Sequence, residues 1–173
     1  MSAFKAYDIR GVYNKDFNKE DVYRIGFYLP QFLHADKILV GRDVRVSSPE
    51  ILEALVKGIT DAGADVYNMG LSTTPMVYYF TAKHHFLGSV MITASHNPKE
   101  YNGLKVSREN ALPVGFDTGL GELQKQVELR LPITPVANKG KVIEYNVIDE
   151  YVEFQKSFLK DISNLDISID CSN

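Results

Sequence analysis

Three short apolar runs, each bounded by polar or glycine-containing loops and separated by helical patterns, constrain the fold of this chain most strongly. They are residues 37–41 (KILVG), 64–69 (ADVYNM) and 88–93 (GSVMIT). Apolar runs of about four to eight residues between turn signals are typical of buried strands. Their alternation with amphipathic segments predicts an α/β fold, with a mixed, mainly parallel sheet between helices on both faces.

The helical segments carry recognisable start and stop signals. Asn18 is expected to cap the first helix, and Pro30 to kink or end it near residues 28–29, because a proline ring clashes with the carbonyl four residues earlier. Ser48 is expected to cap the second helix, with Pro49 in its first turn. Two further helices are predicted, over residues 117–131 and after Asp149. Strands are predicted over residues 104–107, 141–147 and 165–171. The strand over residues 104–107 is expected to run antiparallel, because only a tight connection precedes it.

The third apolar run leads into TASHNP at residues 93–98, followed by YNGLK at residues 101–105. This pattern predicts a serine, Ser95, in a tight loop at the carboxyl end of a strand, where open α/β sheets bind ligands. Such a hydroxyl is a candidate nucleophile, and Lys105 could stabilise negative charge on it. A serine hydrolase is disfavoured, since Ser95 and His96 are adjacent and the Gly-x-Ser-x-Gly elbow is missing. The combination of Ser95 and Lys105 fits phosphoryl transfer better than hydrolysis, because a cation would stabilise the negative charge of a phosphoserine.

The loop at residues 93–98 with residues 101–105 resembles the active-site loop of the alpha-D-phosphohexomutases, most closely the phosphomannomutase/phosphoglucomutase group. Other segments resemble that family in its own order: residues 7–11 (YDIRG), residues 41–45 with 47–49 (GRDVR, SSP), and residues 70–75 (GLSTTP). Residues 166–173 resemble the strand that opens the family's second domain. The resemblance covers almost the whole chain and implies a three-layer α/β/α first domain.

By this resemblance, Ser95 carries a phosphoryl group between hexose 1-phosphate and hexose 6-phosphate of mannose or glucose, through a bisphosphorylated sugar. Mg²⁺ is implied as a cofactor bound to the phosphoserine. Lys105 and Arg10 match catalytic positions that stabilise charge or move protons, and His96 matches a catalytic neighbour that lies near the sugar. The resemblance also implies substrate contacts for Asn97 and Tyr7.

Several of these residues have structural alternatives. Arg10 could be a solvated loop arginine, Lys105 a surface lysine, and His96 a brace for the loop. Arg42 and Asp43 are interpreted as a structural ion pair rather than as ligands. Two other functions stay open: a mutase of glucosamine phosphates, and a non-catalytic module that binds phosphosugars.

The resemblance also predicts the domain organisation. Residues 1–142 correspond to the family's N-terminal domain, and residues 143–173 to a linker helix and the first strand of a truncated second domain. The family's metal loop, sugar-specificity loop and phosphate-binding domain are not among the 173 residues. The chain alone is therefore expected to lack mutase turnover. Its expected partners are a phosphorylated hexose, a hexose 1,6-bisphosphate activator and the family's C-terminal domains.

Composition argues against several other classes of protein. The formal net charge of −3 offers nucleic acid or an anionic membrane no general attraction. No apolar run approaches the roughly 20 residues that span a bilayer, and residues 1–10 lack the pattern of a signal peptide. Cys171 is the single cysteine, so no disulfide within the chain is possible and a cytoplasmic location is expected.

Overall fold

The computed structural model describes residues 3–170, which form one six-stranded sheet with helices on its faces. The strands are β1 (Ile9–Val12), β2 (Lys37–Arg42), β3 (Asp65–Leu71), β4 (Gly88–Ile92), β5 (Tyr101–Arg108) and β6 (Val142–Glu144). The helices are α1 (Lys19–Leu33), α2 (Ser48–Asp61), α3 (Thr74–Lys83), α4 (Gly121–Glu128) and α5 (Ile148–Lys156). A 3₁₀ turn (Glu109–Ala111) and a π-helical turn (Phe116–Leu120) precede α4.

The sheet has the order β1-β5-β4-β2-β3-β6 and is mixed, as predicted. β2 pairs in parallel with β3 and β4, and β6 pairs in parallel with β3, whereas β5 runs antiparallel to both β4 and β1. Only residues 93–100 separate β4 from β5, too few for the crossover that a parallel partner needs. The carboxyl ends of β2, β3 and β4 therefore lie at one edge of the sheet, where the loop with Ser95 begins.

Side chains alternate between the two faces along each strand, and this alternation creates two cores. On β2, Ile38 and Val40 contribute to the core beneath α1, α2 and α4, while Leu39 contributes to the core beneath α3. The second core also contains Val77 and Phe80 of α3. The chain therefore has the three-layer α/β/α arrangement that the sequence predicts.

The first helix begins as predicted but ends later. Asn18 and Asp21 form a reciprocal capping box, in which each side chain accepts a hydrogen bond from the other's backbone amide. The predicted early end near residues 28–29 is wrong, because α1 continues to Leu33 and its C-cap is His34, whose φ is 53°. Pro30 lies in the last turn, where it removes a single intrahelical bond, and the burial of the turn outweighs that loss.

The second helix starts at the predicted place with a different cap. Ser47 is the N-cap, although its hydroxyl accepts no capping hydrogen bond from the backbone of α2, so the assignment of Ser48 as the cap is wrong. Ser48 is completely buried, and its hydroxyl donates to Asp43 over 2.6 Å. Its hydroxyl thus belongs to a polar network, described below, rather than to the helix end.

Two elements near the end of the chain differ from prediction. The helix expected over residues 117–131 is shorter, because the π-helical turn precedes α4 and Leu131 lies beyond it, exposed. Residues 165–170 form no strand, and Leu165, Ile167 and Ile169 are exposed. An alternating segment becomes a strand only when a neighbour pairs with its backbone, and no described strand does so. Cys171, which the predicted strand included, lies outside the described residues.

The segment after residue 142 contacts the rest of the domain. β6 extends the sheet beside β3, and Tyr79 of α3 stacks on Phe154 of α5 with ring centroids 4.0 Å apart. The domain boundary after Val142 stays a prediction. Within residues 3–170, none of the helices combines the length and apolar character that crossing a membrane requires.

Candidate active site

The loop after β4 presents Ser95 at the carboxyl edge of the sheet. Thr93 and Ala94 are buried, whereas Ser95 and His96 are exposed. Ser95 has a φ of 55°, a left-handed conformation that costs a non-glycine residue about 1–2 kcal/mol. The backbone amide of Ser95 donates to Oγ1 of Thr93 over 2.9 Å, and the amide of Asn97 donates to the carbonyl of Ala94 over 3.1 Å. The serine thus sits at a tight turn whose backbone is held locally.

The guanidinium of Arg45 holds the same loop from inside. Nη1 donates to the carbonyl oxygens of Pro98 (2.7 Å) and Tyr101 (3.1 Å). Nη2 donates to those of Ser95 (3.0 Å) and Asn97 (2.7 Å). One side chain therefore connects the start, middle and end of the loop.

Asp43 orients this arginine. Its Oδ2 lies 3.2 Å from Nε of Arg45, and its Oδ1 accepts hydrogen bonds from the hydroxyl of Ser48 and the backbone amide of Arg45. The predicted ion pair between Arg42 and Asp43 is wrong. Nη1 of Arg42 donates to the backbone carbonyl of Asp43 over 3.1 Å, while the carboxylate of Asp43 pairs with Arg45.

Asn102 connects the loop to the start of α2. Its buried side-chain amide donates to the hydroxyls of Ser47 (2.8 Å) and Ser48 (3.0 Å). The two segments that the sequence analysis singled out, residues 41–49 and 93–105, are therefore one hydrogen-bonded unit at the edge of the sheet.

A buried carboxylate, Asp8, brings the two predicted catalytic cations together. Its Oδ2 lies 3.2 Å from Nη2 of Arg10 and 3.3 Å from Nζ of Lys105, and the side chain of Asp8 is only 4% exposed. The other oxygen, Oδ1, has no hydrogen-bond partner among residues 3–170. Burial raises the pKa of the nearby Tyr78 phenol on α3, and the charge of Asp8 adds to the rise.

The strand register relates this cluster to the Ser95 loop. Arg10 pairs with Gly103 across β1 and β5, and the amide of Thr93 donates to the carbonyl of Gly103 over 3.0 Å. Arg10, Gly103 and Thr93 therefore form one row across three neighbouring strands. Lys105 lies two residues along β5 from Gly103, so it projects from the same face of the sheet as Arg10.

The other predicted site residues are placed as follows. His96 is exposed in the loop, and the hydroxyl of Ser95 makes no hydrogen bond to it within residues 3–170, so a hydrolase-type Ser–His pair is not formed. Asn97 turns its amide back to the carbonyl of Ala94 over 2.9 Å, which braces the loop. Tyr7 is 84% exposed beside a depression of about 230 Å³. The substrate-binding roles of Asn97 and Tyr7 stay predictions.

Two residues of the site were missed by sequence reasoning, namely Asp8 as the carboxylate between the cations and Arg45 as the centre of the loop. Both lie inside segments that the resemblance had marked. Their motifs contain several charged residues each, and the linear sequence does not show which of them points inward.

The described residues do not by themselves form a Mg²⁺ site. Among residues 3–170, no three His, Cys, Asp or Glu side chains lie close enough together to hold a metal ion. Mg²⁺ requires near-octahedral oxygen coordination, and a phosphate on Ser95 would supply only part of it.

Comparison with known proteins identifies the family of this site. Residues 1–128 match the family model described as phosphoglucomutase/phosphomannomutase, alpha/beta/alpha domain I. The chain belongs to the phosphoglucomutase/phosphomannomutase family. The resemblance to the phosphohexomutases and the predicted fold class are thereby confirmed.

Individual relatives agree with this membership. A phosphomannomutase of Klebsiella pneumoniae is 43% identical over 154 residues, which are 88% of this chain and 98% of that protein. A phosphomannomutase of Escherichia coli is 41% identical over 165 residues, which are 95% of this chain and 36% of that protein. The crystal structure of a family protein from Burkholderia thailandensis superimposes with a TM-score of 0.77 at 32% identity, covering 92% of this chain and 36% of that one. This chain thus spans little more than a third of the longer relatives.

Proposed function

We propose that this chain supplies the phosphoryl-carrying part of a phosphohexomutase active site, with Ser95 as the carrier. In the proposed reaction, the bond between phosphorus and the Ser95 oxygen breaks as a bond to a free hydroxyl of hexose 1-phosphate or 6-phosphate forms. The hydroxyl proton leaves to a base, and the bisphosphorylated sugar then returns its other phosphoryl group to Ser95. Mannose and glucose phosphates are the proposed substrates.

One observation carries this proposal: Ser95 lies in a firmly held loop at the same sheet edge as two cations that share one buried carboxylate. A phosphoserine carries about −1.5 to −2 charges. A unit charge about 4 Å away, at an effective dielectric near 20, contributes about 4 kcal/mol. Lys105 and Arg10 are proposed to provide such stabilisation, and their tie to Asp8 keeps both at this edge before the phosphoryl group arrives.

Other components of the reaction are proposals that need residues outside the described site. Mg²⁺ would require oxygen ligands from another segment of polypeptide, because the described residues lack a carboxylate cluster. The sugar, its bisphosphate activator and the family's further domains are proposed partners, and the cytoplasm is the proposed location. The 173-residue chain alone is expected to convert no mannose 1-phosphate, and appreciable conversion would contradict that expectation.

Intact-mass analysis tests the carrier role of Ser95. A protein in which this chain is joined to the family's remaining domains is incubated with glucose 1,6-bisphosphate. We expect a gain of one phosphoryl group that Ser95→Ala abolishes and that Ser163→Ala, a change at an exposed serine in a turn, retains. Turnover with an unmodified Ser95 would contradict the proposal, and labelling of Ser95 by a fluorophosphonate would favour a hydrolase instead.

A further inference from the structure

We propose that Arg45 is the positioning residue for phosphoryl transfer at Ser95. It acts through the backbone of the loop and does not contact the phosphoryl group itself. The inference rests on the proposed function of Ser95 and adds to it a residue that controls where the carrier hydroxyl lies.

All the hydrogen-bond donors of the Arg45 side chain face either the carbonyls of this loop or the carboxylate of Asp43. A guanidinium has five N–H groups in a fixed plane. In Arg45 four of them donate to the four loop carbonyls, and the fifth, on Nε, faces the carboxylate of Asp43. The side chain is 13% exposed, so water competes little for these contacts. Lysine, with three donors on a single nitrogen, cannot reproduce this planar arrangement.

The pattern of carbonyls explains how Arg45 would control Ser95. The four carbonyl oxygens belong to residues from Ser95 to Tyr101, so the planar guanidinium of Arg45 fixes the position of the whole loop. Ser95 holds a φ of 55°, which is unfavourable by itself. The hydrogen bond from Arg45 to the carbonyl of Ser95 helps to offset that cost. Without it, relaxation of Ser95 toward negative φ would reorient its side chain.

The support behind Arg45 belongs to a different part of the sheet edge. Asp43 follows β2, and the hydroxyl of Ser48, in the first turn of α2, donates to its carboxylate. The position of the carrier loop is thus set from β2 and α2, whereas Lys105 and Arg10 are set from β5 and β1. Phosphoryl transfer requires the Ser95 hydroxyl to lie at the correct distance from Lys105 and Arg10, since a misplacement of about 1 Å can lower the rate about 100-fold.

The first test measures the loop itself, by amide hydrogen exchange in the 173-residue chain. In Arg45→Lys we expect the amides of Asn97 and Tyr101, which close turns within the loop, to exchange at least about tenfold faster. The amide of Val90 in β4 should be unchanged. Arg42→Lys is the matched control, because Arg42 reaches one carbonyl outside the loop and should leave both loop amides protected.

A second variant guards against misfolding of the first. Asp43→Asn keeps Arg45 but removes the charge that orients it, so the loop amides should exchange at a rate between those of the parent chain and Arg45→Lys. Unchanged loop exchange in both variants would overturn the proposal.

The second test measures turnover in a protein that joins this chain to the remaining domains. Because the donors of Arg45 are all directed at loop carbonyls and at Asp43, Arg45→Lys should lower kcat by about 100-fold and leave KM within about threefold. Faster loop exchange with unchanged kcat, or a change confined to KM, would overturn the positioning role. If the protein without substitutions shows no phosphorylation of Ser95, the proposed function is wrong. The exchange experiment still decides whether Arg45 holds the loop.

Discussion

At the scale of single residues, the site depends on charged groups whose partners lie far away in the sequence. Asp8 is buried between Arg10 and Lys105, and its negative charge offsets the repulsion between these two cations. The carboxylate of Asp43 pairs with a single cation, the guanidinium of Arg45. Each carboxylate has lost most of its contact with water, so its contribution to the stability of the fold depends on the cations paired with it.

Replacing Asp8 by Asn should destabilise the fold by about 1–2 kcal/mol, because Arg10 and Lys105 would keep their proximity without a counter-charge. The partial exposure of the two cations keeps the effect below that of a fully buried pair. Urea unfolding of the purified chain measures it. Glu53→Gln is the control, since the exposed ion pair of Glu53 with Lys19 should contribute close to nothing. Equal effects of the two substitutions would contradict this view of Asp8.

At the scale of elements, α1 and α2 approach so closely that two glycines are required between them. A Cβ atom on Gly58 would lie 2.2 Å from the carbonyl oxygen of Tyr23, and one on Gly26 would lie 2.4 Å from that of Leu55. Both contacts are with backbone, which cannot turn aside as a flexible side chain could. The close approach lets the two helices cover one face of the sheet together.

Gly58→Ala should therefore destabilise the chain by about 2–3 kcal/mol, even though alanine favours a helix over glycine by about 1 kcal/mol. Thermal unfolding followed by circular dichroism measures the change. Glu53→Ala, on the exposed side of the same helix, is the control for an alanine whose Cβ meets no neighbouring backbone, and it should change stability little. A stabilised Gly58→Ala variant would show that the helices can separate at little cost.

The carboxylate of Asp61 connects α2 to the segment before β6. Although burial opposes ionisation, hydrogen bonds from Lys139, Lys57 and Tyr23 outweigh it and lower the pKa of Asp61 to about 2. Through this pairing, Lys139 ties the segment before β6 to α2.

Because the pKa of Asp61 is lower in the folded chain than in the unfolded one, its charge stabilises the fold above about pH 4. That contribution, about 2 kcal/mol, should disappear as the pH falls from about 4 toward 2. Urea unfolding at several pH values measures it. Asp61→Asn should lower stability at neutral pH and flatten the profile between pH 4 and 2, which are about the unfolded and folded pKa values of Asp61. An unchanged profile would assign the acid sensitivity to other carboxylates.

At the scale of the whole molecule, α5 attaches to the domain through α3. Phe154 stacks on Tyr79, Glu150 pairs with Lys83 over 2.8 Å, and Nε2 of His84 lies 3.0 Å from the same carboxylate. Pairing with Lys83 is the main cause that lowers the pKa of Glu150. His84 therefore takes part in the interface between α3 and α5.

Phe154→Ala should loosen α5 while the sheet stays intact, because the stacked pair is the shortest of its ring contacts with α3. Hydrogen exchange followed by mass spectrometry should show faster exchange over residues 148–156 and unchanged exchange over β2 and β4. Leu159→Ala, at an exposed position beyond the helix, should change neither region. Protection of α5 in Phe154→Ala would mean that its ion pairs and the contacts of Tyr151 with Tyr79 and Phe80 are enough to hold it.

The order of strands and helices and the position of Ser95 could be predicted because their signals are local. Apolar runs bounded by glycines indicate strands, Asn18 caps a helix through residues three positions away, and the loop motif places a serine just after β4. Predictions failed where a distant contact decided the outcome. Core burial lets α1 continue past Pro30, the hydroxyl of Ser48 binds Asp43 instead of capping α2, and no strand within residues 3–170 pairs with residues 165–170.

By itself, then, the sequence determined the α/β fold, the mixed sheet, the place of Ser95 in a loop after β4 and the family to which the chain belongs. Tertiary structure alone decided that Asp8 joins Arg10 to Lys105, and that Arg45 rather than Arg42 pairs with Asp43 and holds the loop of Ser95. The reason is physical: periodicity and capping depend on neighbours within a few residues. The partner of a buried charge is set by which side chains the sheet register and helix packing bring within about 3 Å of it.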